Sequence, residues 1–181
     1  MQGRGYSTEG IIIGIKNYSE ADKVITVYSP RFGKMRLLAK GVARPTSRKR
    51  GHLDNFNRIK FSANNSKTFD VMTEVELISD SQNIKKDLKK ASVAYFLLET
   101  ANRLTAEHEP NPDLYLILVS YLEKLSRSTK TKQLRMEFIK DILVNLGFWP
   151  ASRELKYADE MLSQVSERQM HSARVGKKLL E

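Results

Sequence analysis

The chain contains no cysteine, which excludes disulfides and any thiolate-held metal. Its three histidines, His52, His108 and His171, lie far apart and lack ligand-like spacing. No metal and no cofactor are therefore expected. No apolar run approaches the roughly 18 to 20 residues of a membrane span. The longest one near the start, Ile11-Ile12-Ile13, is too short for a signal-peptide core. The expectation is a cytoplasmic protein that touches no membrane. Motifs of catalysis are missing as well: there is no P-loop, no GxSxG elbow, no HExxH and no paired carboxylates. "GIIIG" at 10 to 14 reads as a strand with small ends, and Asp22, Asp54 and Asp70 are scattered. A binding protein fits better than an enzyme.

Acids are scarce where bases are dense. Among 181 residues, 31 Lys and Arg face 21 Asp and Glu, a net charge of +10. Such an excess favours a nucleic acid or an acidic partner. Residues 1–79 hold 14 basic and 7 acidic side chains, whereas 80–181 hold 17 and 14. Between Arg31 and Lys60, ten basic residues meet Asp54 alone. A hydrophobic fraction of 40% at this length suffices for a buried core.

The period of the apolar pattern changes near residue 80. Gly10 to Lys16, Lys23 to Tyr28, Lys34 to Val42, about Leu53 to Phe61, and Phe69 to Ile78 read as short strands rich in β-branched and aromatic residues. Turn-forming clusters at 29–33 and 63–67 separate them. In the fifth, Phe69, Val71, Thr73, Val75 and Leu77 alternate with acids, the pattern of a half-buried strand. Beyond Ser81, apolar residues recur at steps of three and four: Ile84, Leu88, Ala91, Tyr95, Leu98 and Ala101. That spacing predicts an amphipathic helix, ended by "EPNPD" at 109–113. Further helices are expected over Leu114 to Leu125, Leu134 to Leu146 and about Ser152 to Val165, with a last short one over His171 to Leu180. The fold class is α+β: five short strands forming a small closed or partly open barrel over 1–80, then a helical domain over 81–181.

"GKMRLLAKGVARPTSRKRG", residues 33–51, contains seven basic residues and no acid. As a strand it puts Lys34, Arg36 and Lys40 on one face with Leu38, and turns Met35, Leu37 and Ala39 inward. Successive cations on that face lie roughly 6 to 7 Å apart, close to the phosphate repeat of an extended strand. A loop with Arg44, Arg48, Lys49 and Arg50 follows, held open by Pro45. With Arg31, these form the candidate nucleic-acid contacts. Tyr18, Tyr28, Phe32 and Phe56 are aromatics near the same surface. Tyr28 and Phe32, closest to the basic strand, are the stacking candidates.

Residues 9–56, "EGIIIGIKNYSEADKVITVYSPRFGKMRLLAKGVARPTSRKRGHLDNF", resemble the N-terminal OB-fold domain of the bacterial RecO family of recombination mediators. The likeness rests on Tyr18, Glu20 and Asp22, on "GKMRLLAKGVARPTSR", and on Gly51 with Leu53. "ASVAYFLLETANRLTAEHEPNPDLYLILVSYLEKL" and "FIKDILVNLGFWP" resemble that family's helical core, and "HSARVGKKLLE" its last basic helix. The resemblance implies binding of single- and double-stranded DNA and annealing of complementary strands. It implies partnership with single-stranded-DNA-binding protein and RecR in loading RecA, at the nucleoid. Many members carry a four-cysteine zinc module after the helix that here reaches Phe148; this chain has none of those cysteines. Capture of the acidic tail of single-stranded-DNA-binding protein needs an apolar groove rimmed by cations. Arg135, Phe138, Lys140 and Ile142 are the candidate site. The alternative function is an RNA-binding or translation-associated OB protein, distinguished by comparing DNA with RNA oligonucleotides. A third is a protein scaffold, favoured if no nucleic acid binds at moderate salt.

Overall fold

Five strands account for the first part of the chain: β1 (Gly5–Asn17), β2 (Lys23–Ser29), β3 (Gly33–Ala39), β4 (Arg58–Asn64) and β5 (Asp70–Ser79). The structure is a computed structural model and describes residues 5–166. The strands close into a barrel in the order β1-β2-β3-β5-β4. Neighbours are antiparallel except β3 and β5, which meet in parallel at Leu37–Asp70 and Leu38–Val71. Period-two alternation sends Ile12, Ile25, Val27, Met35, Leu37, Ile59, Phe61 and Met72 into the barrel interior, each at most 2% exposed. Met35, Leu37 and Ala39 point inward as their alternation requires.

Two irregularities shift the expected faces. In β5 the register slips opposite Ser62 and Ala63. Thr73 is the extra residue, and its hydroxyl donates to the Ser62 carbonyl at 3.1 Å. Met72 therefore enters the core and Thr73 is exposed, while Val75 and Leu77 still pack against it. Such a bulge re-aims every residue on one side of it. The second concerns residues 40–57, where β3 ends earlier and β4 begins later than their composition suggests. Successive turns close there: Arg44 N–H to Gly41 O at 3.2 Å, Ser47 N–H to Arg44 O at 3.0 Å, and Leu53 N–H to Lys49 O at 3.2 Å. Pro45 occupies the second position of the Arg44–Ser47 turn, where its fixed φ suits the geometry. Val42, Leu53 and Phe56 plug this segment into the core.

The helices are α1 (Gln82–Lys85), α2 (Leu88–Leu104), α3 (Pro112–Arg127), α4 (Thr131–Asn145) and α5 (Ala158–Val165). Asp87 breaks the expected first helix in two because it caps α2, accepting from the amides of Lys89 and Lys90. The buried stripe of α2 runs through Val93, Phe96, Leu97 and Ala101. Leu88 and Tyr95, expected inward, are exposed. The helix over His171 to Leu180 lies outside the described residues.

Contacts divide the chain into two compact units. The first joins the described residues through Ser81 with Glu107–Pro112; the second comprises Gln82–Ala106 and the described residues from Asp113 onward. The short return segment is thus part of the barrel unit. It docks on the part of β3 that β5 leaves uncovered: Lys34 bridges Glu107, and the His108 amide donates to the Lys34 carbonyl at 2.9 Å. Gly33 makes room for it. Its φ is +67, and a Cβ there would run into the Glu109 backbone.

Candidate nucleic-acid interface

Strand alternation sets the outer face of β2 and β3. Thr26 pairs with Arg36, Val24 with Leu38, and Tyr28 with Lys34. Around this face lie the β1–β2 connection (residues 18–22) and the β4–β5 connection (65–69). Tyr18, 57% exposed, meets Phe69 edge-on with ring centroids 5.9 Å apart. The Arg36 guanidinium lies 5.6 Å from the Phe69 centroid. An aromatic pair and a cation from two loops and one strand therefore form a single platform. Lys67 is exposed in the same β4–β5 connection.

The basic loop starts beside this platform. The Gly41 amide donates to Asp22 Oδ1 at 2.7 Å and the Ala43 amide to the Ala21 carbonyl at 2.9 Å, which ties residues 41–43 to the β1–β2 connection. At its far end Lys49 Nζ donates to the Met72 carbonyl at 3.1 Å, and His52 Nδ1 lies 3.3 Å from the Val75 carbonyl. The loop is thus pinned at both ends by hydrogen bonds and by its buried apolar residues. Lys40, Arg44, Arg48 and Arg50 are exposed on it.

The eight expected cations separate into three groups. Arg31, Lys40, Arg44, Arg48 and Arg50 are exposed. Arg36 also faces solvent but is engaged by Glu107, through Nε to Oε1 at 2.8 Å and a second guanidinium nitrogen to Oε2 at 3.2 Å. Lys34 and Lys49 are corrections. Lys34 is only 9% exposed beneath the 107–109 segment. Burial lowers its pKa, Glu107 opposes that shift, and Arg36 reinforces it. Lys49 is half-buried and serves to anchor the loop.

Both stacking candidates are corrections too. Tyr28 is fully buried; burial, then the charge of Glu109, pushes its hydroxyl up to about 12. Phe32 packs on the core, with Tyr6 at 4.9 Å and the Arg31 guanidinium at 5.1 Å from its ring. Tyr28 is closed to a base, and the partly buried Phe32 ring is already in contact with Tyr6 and Arg31. The aromatics that the structure brings to this face are Tyr18 and Phe69. Tyr18 was among the aromatics noted near this surface, but Phe69 was assigned to the fifth strand, and the sequence carries no signal that separates it from Phe32 and Phe56, which also lie in connections and pack inward.

The expected tail-binding set is likewise corrected. Phe138 and Ile142 are fully buried, and Arg135 is 7% exposed. Arg135 lies 4.0 Å from the Phe96 centroid and forms a two-pronged ion pair with Asp159. Lys140 is half-buried. Arg135, Phe138 and Ile142 thus belong to the interior of the helical unit, and Lys140 alone of the four reaches its surface.

A closed five-stranded barrel whose β2–β3 face is flanked by its connecting loops belongs to the OB-type class of folds. Comparison with known proteins narrows that class. The family descriptions "Recombination protein O N terminal" and "Recombination protein O C terminal" match residues 1–80 and 85–154. The chain belongs to the RecO family. It is 34% identical to the DNA repair protein RecO of Desulforamulus reducens, over 67% of this chain and 47% of that one. With that of Desulforudis audaxviator it shares 32% over 80% of this chain and 58% of the relative. With that of Pelotomaculum thermopropionicum it shares 27% over 87% and 61%. The chain spans about half to three fifths of the length of these curated relatives. Among the described residues no cluster of metal-binding side chains occurs, and no helix is long and apolar enough to cross a membrane.

Proposed function

We propose that this chain binds single- and double-stranded DNA through the barrel and anneals complementary strands as a recombination mediator. The observation that carries the reading is the Tyr18–Phe69–Arg36 platform beside four exposed cations on a pinned loop. Stacking on an aromatic is worth roughly 1–3 kcal/mol per base and tolerates any sequence. Phosphate contacts from Lys40, Arg44, Arg48 and Arg50 supply the salt-dependent part. The relatives' common name, DNA repair protein RecO, supports a role in DNA repair. The reading requires no chemical step from the protein.

Family membership also supports partnership with single-stranded-DNA-binding protein and RecR in loading RecA at gaps and double-strand breaks. With the α4 stripe buried, the helical unit offers another place for an acidic tail with an apolar tip. This is a cleft of about 510 Å³ whose lining includes Trp149, Leu155, Tyr157 and Met161, with Arg153 and Lys156 as cations and Glu154 and Glu160 as acids.

The test is an annealing assay on complementary strands coated with single-stranded-DNA-binding protein, without nucleotide or added metal. The wild-type chain should accelerate annealing, and Arg36→Glu with Lys40→Glu should reduce it. Equal rates for wild type and the double variant, both folded, would remove the β3 face from the function. Matched RNA binding more tightly than DNA would favour the RNA reading instead.

A further inference from the structure

The helical unit gathers positive charge at one end. The first turn of α2 holds Lys89 and Lys90, and that of α4 holds Lys132 behind Lys130 at the cap position; neither first turn contains an acid. Aligned peptide dipoles and unpaired N–H groups already make a helix start positive, so cations there oppose stability and anions relieve them. Asp87 caps α2, whereas α4 has no side-chain cap. These lysines are placed where the fold alone would not favour them.

Packing brings the helix ends together. Lys90 Nζ donates to the Ser126 carbonyl at 2.9 Å, tying the start of α2 to the end of α3. Lys89, Lys130 and Lys132 line one shallow concavity of about 480 Å³ with Thr129 and Thr131. The last turn of α3 holds Lys124 and Arg127. Lys89, Lys130 and Lys132 thus share that concavity as one pole, Lys124 and Arg127 line a separate one with Glu123, and Lys90 is committed to Ser126. The acids on the same segments are Asp87, already engaged in capping, and Glu123.

We propose that this lysine pole holds a second stretch of nucleic-acid backbone, separately from the barrel. The charge is spread over two helix starts and not focused on one buried pocket, which suits a polyanion with spaced phosphates. The concavity has lysines and hydroxyls but no aromatic, so it reads backbone and not base. An acidic peptide would need an apolar anchor pocket, and Met136 alone supplies apolar lining there. The inference goes beyond the barrel interface: one chain then carries two phosphate-binding surfaces, which is what holding two strands at once requires.

The test uses the full chain with Lys89→Glu, Lys130→Glu and Lys132→Glu together; all three side chains are exposed, and circular dichroism checks the fold. Affinity for a labelled single-stranded oligonucleotide is measured against salt, and energy transfer between two non-complementary labelled strands reports bridging. The pole variant should keep barrel-dependent binding, with a log K against log salt slope shallower by about two, given about 0.7 per lost phosphate contact. It should also lose bridging. A barrel variant, Arg44→Glu with Arg48→Glu and Arg50→Glu, should retain weak binding that the added lysine reversals abolish. A pole variant with wild-type slope and wild-type bridging overturns the proposal. If the barrel variant at the same time loses all binding, the barrel reading stands alone. Unchanged DNA binding by the pole variant with lost binding of a polyglutamate peptide overturns it in favour of an acidic protein partner.

Discussion

Arg36 faces solvent, the Phe69 ring and the Glu107 carboxylate together. Its partner comes from 71 residues away, so the acid-free look of the local sequence does not describe the charge that the strand presents. A phosphate must displace Glu107 to use the guanidinium fully. The exposed pair is worth at most about 1 kcal/mol, so Glu107→Gln should raise oligonucleotide affinity by about two- to five-fold. Fluorescence anisotropy reads this; unchanged or weaker binding would mean that Arg36 takes no part. Phe69→Ala should weaken binding of single strands by roughly 1–3 kcal/mol and affect duplex binding less, because paired bases expose no face to stack. Equal losses on both substrates would contradict a stacking role. Inward positions of β3 were readable from alternation alone. Lys34 was not, because the segment that covers it belongs to the barrel only after the chain has gone through α2.

At the level of elements, the basic loop and α4 show opposite outcomes of the same kind of inference. The loop's cations stay outward because its apolar residues, Val42, Leu53 and Phe56, are committed to the core. In α4 the cation goes inward. Arg135 crosses to Asp159, covers Phe96 and leaves no surface stripe. Periodicity located the helix but could not tell an apolar stripe that packs from one that docks, since both have the same spacing. Leu88 and Tyr95 show the same ambiguity in reverse: their spacing fits an apolar stripe, yet both are exposed on α2 while Leu98 and Ala101 of the same stripe are buried. Two outcomes follow for stability. Phe138→Ala should lower unfolding free energy by about 3–5 kcal/mol, as read by urea denaturation. Arg135→Glu should destabilise the helical unit by placing two acids against each other at a buried site. An Arg135→Glu chain with wild-type stability that had lost only peptide binding would restore α4 as a docking surface.

For the whole molecule, the compact units divide between Ser81 and Gln82, and Glu107–Pro112 returns to the first. Charge is unevenly shared along the chain, with 14 basic and 7 acidic residues over 1–79 against 17 and 14 over 80–181, and the proposed function rests on the barrel loop as the main electrostatic contact with DNA. The most direct measurement is the salt dependence of single-stranded DNA binding by the full chain and by the Arg44→Glu, Arg48→Glu, Arg50→Glu variant. Each lost phosphate contact should flatten the slope of log K against log salt by about 0.7. The account predicts a slope shallower by about two and affinity reduced by at least roughly ten-fold at low salt, with secondary structure unchanged. A folded variant that binds with the wild-type slope and affinity would contradict it.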